Sequence, residues 1–240
     1  MFSEKIIDDI KTHALADYPS EACGFIVDDQ YIPFENSAEN PKESFVIKAE
    51  AWVKYSQQGT IKAVAHSHPD GPDCPSAADM QQQIATNVPW GIVSTNGEQV
   101  TTPFWFGDTA PKAPLVGRGF RHGVTDCYSQ IRDYYLLEKQ ISLPEFPRDW
   151  EWWLEDQDLY QDGFAVAGFK RISESEVETG DVFLAQVRSK VPNHGGVYLG
   201  NGLGLHHLTG ALAVDMTRLS VREPINRWNK FITHWLRYDA

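Results

Sequence analysis

The sequence has few cysteines, no long apolar run and no excess of positive charge, and each shortage closes a class of function. Cys23, Cys74 and Cys127 are an odd number without zinc-ribbon spacing, so neither a disulfide framework nor a cysteine-rich zinc module is expected. The longest apolar runs, such as Cys23–Val27 and Ile61–Ala65, are strand-sized and far short of a membrane span, so no membrane insertion is expected. With 21 basic against 33 acidic residues and a net charge of −12, the chain lacks the clustered positive charge that phosphate backbones require, and no nucleic-acid partner is expected. The opening MFSEKIIDDIKTH is charged and carries no apolar secretion core, which points to synthesis in a cytoplasm. Collagen, coiled-coil and disorder biases are absent too, as is any internal repeat.

What is present is a globular composition on 240 residues, enough for two domains with their own cores. Ile6, Ile7, Ile10 and Ala14 share a helical face over residues 3–17, and Tyr18-Pro19 stops that helix. CGFIVDD reads as a strand and Phe45–Ile47 as another short one. EAWVKYSQQG suggests a helix closing on Gly59, IKAVAHSH is β-like, SAADMQQQIA opens a further helix, and IVSTNGEQVTTPFWF reads as a hairpin about Asn96-Gly97. GDTAPKAPLVGRG, residues 107–119, is rich in Pro, Gly and Ala without apolar periodicity, which marks a domain boundary. Beyond it DCYSQIRDYYLLEKQ is helical, an acidic stretch carries Trp150, Trp152 and Trp153, and GDVFLAQV, GGVYLG and GLGLHHL read as strands. The expectation is an α+β protein of two different domains, residues 1–106 and 118–240, joined by a linker over 107–117.

The segment HSHPDGPDCPSAAD, residues 66–79, carries the first constellation. His66 and His68 are two apart, so on a strand they face the same side and both can reach one metal ion. Pro69 ends the strand, Ser76 starts a helix, and Asp79 lies one turn inside it. Two histidines, a carboxylate and an open position make a catalytic zinc site, although Ser76-x-x-Asp79 is equally a capping box. The whole arrangement H-x-H-P-x6-S-x-x-D, with SEACGF upstream, resembles the JAMM/MPN metalloprotease family over residues 1–105. That resemblance implies an α/β domain with a mixed sheet, one Zn2+ held by His66, His68 and Asp79, Glu21 as general base and Ser76 as oxyanion stabiliser. Cys74 is read as a small loop residue.

The second constellation centres on Cys127 at the start of a helix, where the dipole favours a thiolate. The bland alternative is a buried packing cysteine. Histidine bases are available at His194, His206, His207 and His234, with His122 just upstream. In NHGGVYLGNGLGLHHL a two-residue turn sets His194 and His206 on opposite faces, whereas a three-residue connection sets them on one face and turns His207 away. DCYSQIRDYY, GDVFLAQV and HGGVYLGNGLGLHH resemble the NlpC/P60 cysteine peptidases. The resemblance implies a papain-like domain with Cys127 as nucleophile, His194 as base and His206 as orienting group, acting on cell-wall stem peptides. The family's D-C-S-G is D-C-Y-S here, and its pocket tyrosine has no counterpart upstream of Cys127.

Taken together, the two halves resemble the tail assembly proteins of lambda-like siphophages. That implies a protein of the virion tail tip or its assembly intermediate, with bacterial peptidoglycan peptide and other tail-tip proteins as partners, acting at the host periplasm and wall. The alternatives are an isopeptidase acting on a ubiquitin-like or tail protein, and a structural tail component with idle peptidase domains.

Overall fold

The computed structural model describes residues 1–155 and 157–239. The chain forms two compact units, one from Met1–Pro75 with Gln81–Pro111, the other from Lys112 onward together with Ser76–Met80.

The first unit opens with α1 (Glu4–Asp17), whose N-terminus is capped by the Ser3 hydroxyl accepting from the Ile6 N–H at 3.4 Å. Its Ile6, Ile10 and Ala14 are buried with Ile26, Ala63, Ala65 and Val93. β1 (Cys23–Val27) and β2 (Gln30–Phe34) pair antiparallel with Val27 facing Gln30, so Asp28-Asp29 is a two-residue turn. CGFIVDD is therefore a strand plus its turn, with Asp28 at φ 51°. Phe45–Ile47 corrects the expectation of a strand: it joins no sheet. Asn36 tethers that segment, accepting from the Val46 N–H and donating to the Ser44 carbonyl, so side-chain bonds occupy groups a ladder would use.

α2 (Ala49–Gln58) closes on Gly59, and β3 (Ile61–Pro69) follows. α3 (Ala77–Thr86) is the crossover to β4 (Trp90–Thr95), which runs parallel to β3, and β5 (Phe104–Phe106) completes the order β2-β1-β3-β4-β5. Alternation along β3 sends Ala63 and Ala65 toward α1, which leaves His66 and His68 on the other face.

The second unit pairs a two-stranded ribbon, β6 (Gly119–Arg121) with β11 (Val214–Leu219), with a larger sheet. α4 (Cys127–Tyr134) continues as one π-helical turn over Tyr135–Lys139; a 3-10 turn at Trp152–Leu154 and α5 (Leu159–Gly163) lead to β7 (Phe169–Ile172). β8 (Val182–Ala185), β9 (His194–Tyr198), β10 (Leu203–His206), β12 (Val221–Pro224) and β13 (Ile232–Tyr238) then give the order β12-β10-β9-β8-β13-β7. α4 packs Ile131, Tyr134 and Tyr135 with Val182, Leu184, Val197, Leu205 and Leu236. Each such apolar side chain contributes about 1.5–3 kcal/mol on burial. The alternate residues Phe183 and Ala185 point the other way and pack with Trp228. The expected α+β architecture of two different domains is what the chain adopts. No helix among the described residues is long and apolar enough to cross a membrane.

Candidate functional site

In the first unit β3 delivers His66 and His68 side by side, with their Nε2 atoms 3.1 Å apart. His68 Nδ1 lies 2.9 Å from the Pro72 carbonyl, which can only accept, so Nδ1 carries the proton and Nε2 keeps its lone pair. The His66 ring is flanked by Phe45 at 4.7 Å and Trp90 at 5.6 Å between centroids, which fixes its plane.

Ser76 and Asp79 form the reciprocal cap expected of S-x-x-D. The Ser76 hydroxyl donates to Asp79 Oδ2 at 2.7 Å, and the Asp79 N–H donates back to the hydroxyl at 3.1 Å. The cap turns the carboxylate toward the histidines, and ligand atoms of His66, His68 and Asp79 lie within 4.8 Å of one another, all three residues buried. Two imidazoles, one with its acceptor nitrogen fixed from behind, and a carboxylate suit a zinc ion in number and chemistry. Glu21 precedes β1, whose register sets Cys23 opposite His66; continued two residues, it brings Glu21 level with His68. Glu21 is buried there. Cys74, in the intervening loop, is buried as well.

In the second unit Asp126 is the N-cap of α4, accepting from Ser129 N–H at 2.9 Å and from Gly123 N–H at 2.8 Å. Arg148 grips the same carboxylate at 2.8 Å and also bonds Glu145 at 2.7 Å. Burial opposes the charge on Asp126, but Arg148 and His122 outweigh it and hold the carboxyl well below the usual range. Cys127 therefore starts its helix on a buried, fully paired base. Tyr128, where the resembled family has serine, packs on Phe146 and under the Arg148 guanidinium, and its hydroxyl donates to the Pro144 carbonyl at 2.6 Å.

The thiol itself departs from expectation. Burial, with Asp126 next door, pushes the Cys127 thiol up to about 11, so it is protonated at neutral pH rather than a standing thiolate. Desolvation here outweighs the helix-end effect. Its Sγ lies 3.2 Å from Tyr160 Oη and faces the Gly195 N–H. The wall beside it, with Phe146, Trp150, Trp152, Trp153 and Phe164, encloses about 60 Å³, room for a small apolar group.

The histidines arrive by the irregular turn. Gly204 faces Tyr198 and His206 faces Gly196, so three residues, 200–202, connect β9 to β10. His194 and His206 consequently share a face, with His194 Nε2 3.1 Å from His206 Nδ1. Burial holds His194 well below its ordinary value and His206 below it, the latter against the pull of Glu223. His207 points away, its ring nitrogens on the carbonyls of Thr125 and Arg218. His122 meets the Arg148 carbonyl, and His234 bonds Thr233 and Gln161, so neither enters the pair. The hydrogen-bond partner of Cys127 in this arrangement is Tyr160, and that of His194 is His206.

Three participants went unread. Tyr160 lies 33 positions after Cys127 and Glu223 17 after His206, and no spacing rule links them. Asp126 was readable as an N-cap before a helix start, but its partner Arg148 was not.

Comparison with known proteins covers both units. The model for prokaryotic homologs of the JAB domain matches residues 3–106, and the NlpC/P60 family model matches residues 101–233. The chain is 33% identical to the tail tip assembly protein K of Escherichia phage N15, over 88% of this chain and 87% of that one. It is 38% identical to the tail tip assembly protein K of Escherichia phage lambda, over 68% of this chain and 78% of that one. Among solved structures, an NlpC/P60 family protein from Bacillus cereus aligns with 11% identity and a TM-score of 0.35, covering 100% of this chain and 68% of that one. With both domain models matched in order and relatives this similar along most of its length, the chain belongs to the tail tip assembly protein K family, a JAB-like domain followed by an NlpC/P60 domain.

Proposed function

We propose that this protein assembles into a phage tail tip and cuts peptide bonds there, its NlpC/P60 domain hydrolysing peptidoglycan stem peptides. The observation that carries the reading is the His194–His206 pair on one sheet face in the domain whose helix α4 begins with Cys127. Both groups start neutral, since the thiol is raised and the imidazole lowered. The reaction then begins with general-base transfer rather than from a stored ion pair. His194 takes the thiol proton through Nδ1 as Sγ attacks the scissile carbonyl. The C–N bond breaks as the imidazolium gives that proton to the leaving amine. Water, deprotonated by the same ring, then cleaves the thioester and restores the thiol. His206 holds His194 in place throughout.

The JAB-like domain is proposed as a zinc-dependent peptidase or isopeptidase whose target is a tail protein or a branched wall peptide. His66, His68 and Asp79 would hold one Zn2+, which supplies Lewis acidity toward a carbonyl and toward water. Glu21 serves as the base on the attacking water. Ser76, already donating to Asp79, positions that carboxylate and faces the developing oxyanion. Partners on this reading are peptidoglycan peptide and other tail-tip proteins, and the working place is the virion tail at the host wall.

One observation favours a second reading, a structural tail component with an idle peptidase: the thiol rests on Tyr160, in an aromatic setting. Digestion of purified peptidoglycan separates the two. New amine termini with the full chain, lost in Cys127→Ala and retained in His68→Ala, support the hydrolase; no products from the full chain support the idle component.

A further inference from the structure

Three adjacent strands place one polar group each on the same sheet face. His206 of β10 faces Gly196 of β9, and His194 is two residues along from that glycine. Glu223 of β12 faces Gly204 of β10, and His206 is two residues along from that one. His194, His206 and Glu223 thus descend diagonally across β9, β10 and β12, the offset at which long side chains on one face meet. Gly196 is the space that permits it: a Cβ there would stand 2.7 Å from the His206 Cβ and 2.6 Å from the Phe183 ring. A Cβ on Gly204 would stand 2.8 Å from Ile225.

The bonds along the diagonal have a direction. Trp228 Nε1, which can only donate, reaches Glu223 Oε1 at 2.8 Å, and Arg227 reaches Oε2 at 3.0 Å. Although burial opposes it, these bonds and that of His206 hold the Glu223 carboxyl below its ordinary value, so it is an ionised acceptor. His206 Nε2, 2.9 Å from Oε1, must then be the donor. A neutral His206 protonated on Nε2 keeps its lone pair on Nδ1, which fixes His194 Nε2 as the donor across the 3.1 Å contact. His194 is left with its lone pair on Nδ1. Trp228 roofs the pair, its ring 5.0 Å from His194 and 4.7 Å from His206 between centroids, and both imidazoles are buried.

We propose that Glu223 is a positioning residue that acts through His206 to set the tautomer of His194, keeping Nδ1 as the base. The proposal rests on the reading of Cys127 as a peptidase nucleophile, but its geometry does not. Imidazole 15N spectra of the full chain labelled at histidine test it without turnover. The expected wild-type pattern is Nε2 protonated and Nδ1 unprotonated on both His194 and His206. Glu223→Gln keeps an acceptor and should keep the pattern, while the acid limb of kcat/KM moves to lower pH because a charge that favoured the imidazolium is gone. Glu223→Leu should let Nδ1–H appear on His194 and lower kcat/KM roughly 10- to 100-fold, less than the ~10⁴-fold seen where a carboxylate orients the catalytic imidazole directly. Protonated Nδ1 on His194 in the wild type, or an unchanged pattern in folded Glu223→Leu, would overturn it. If Glu223→Leu does not fold, the wild-type spectrum alone decides. A Cys127→Ala variant that still cuts peptidoglycan would sink the peptidase reading and leave this pattern standing, so the two failures are distinguishable.

Discussion

Each unit contains a pair of histidines whose ring nitrogens lie 3.1 Å apart, and the two pairs are built differently. His66 and His68 come from one strand at the two-residue repeat, and Asp79 adds an oxygen to the same small volume, so their donor atoms converge. His194 and His206 come from neighbouring strands on a diagonal, and the carboxylate at the end, Glu223, takes a proton-bearing nitrogen instead of joining a shared point. Convergent lone pairs invite a cation; a head-to-tail chain orients a proton. What surrounds the pair, more than the pair itself, sets its chemistry.

The largest effect that would break this comparison is a swap of roles between the sites. Cys127→Ala should lower peptidoglycan cleavage by at least about 10³-fold, as loss of a covalent nucleophile does, and leave metal content unchanged. Cleavage measured on purified wall fragments, beside metal analysis, checks both halves of that statement.

Next in size is the buried ion pair beneath Cys127. Arg148→Met leaves Asp126 buried and charged without its partner, and should destabilise the second unit by about 3–5 kcal/mol in denaturant titrations. A change under 1 kcal/mol would mean that Asp126 is held by its backbone bonds alone.

Acid should discriminate between the units. His122, His194, His206 and His207 are all lowered by burial, so the unfolded chain binds protons that the folded one does not. The stability they allow is fully present above an unfolded value of about 6.5 and is lost as pH falls from there toward their folded values. Thermal melts between pH 7 and pH 5 should show the decline, and a flat profile would contradict histidines held neutral by burial.

The smallest expected effect sharpens the state of the thiol. With Cys127 near 11 and Cys23 pushed up to about 12, alkylation of the folded chain at pH 6 should be slow and should climb with pH at Cys127. A rate at Cys127 that is already high and level at pH 6 would instead reveal a stored thiolate–imidazolium pair.

Sequence reading reached the sites through local rules and stopped where contacts became distant. The H-x-H repeat, the S-x-x-D cap and the helix beginning at Cys127 are each set within a few residues, and each stands in the structure as read. Even the shared face of His194 and His206 reduced to the length of one turn. Glu223 was out of reach because strand order in the second sheet does not follow chain order, and only pairing brings β12 beside β10; Tyr160, in α5, meets Cys127 only through a tertiary contact. Phe45–Ile47 shows the opposite error: a β-prone triplet joins no sheet, the Val46 N–H being held by the Asn36 side chain and its carbonyl by the Ser37 N–H. The Asp28-Asp29 turn carries no glycine, so it lacks the usual two-residue hairpin signal and CGFIVDD looks like one continuous strand.

The division of labour between the two histidine pairs is tested most directly by metal stoichiometry of the purified full chain and of paired variants. One zinc per chain is predicted in the wild type, lost in His68→Ala and Asp79→Ala and retained in His206→Ala and Cys127→Ala. Metal that stays in His68→Ala and disappears in His206→Ala would contradict the assignment of both sites at once.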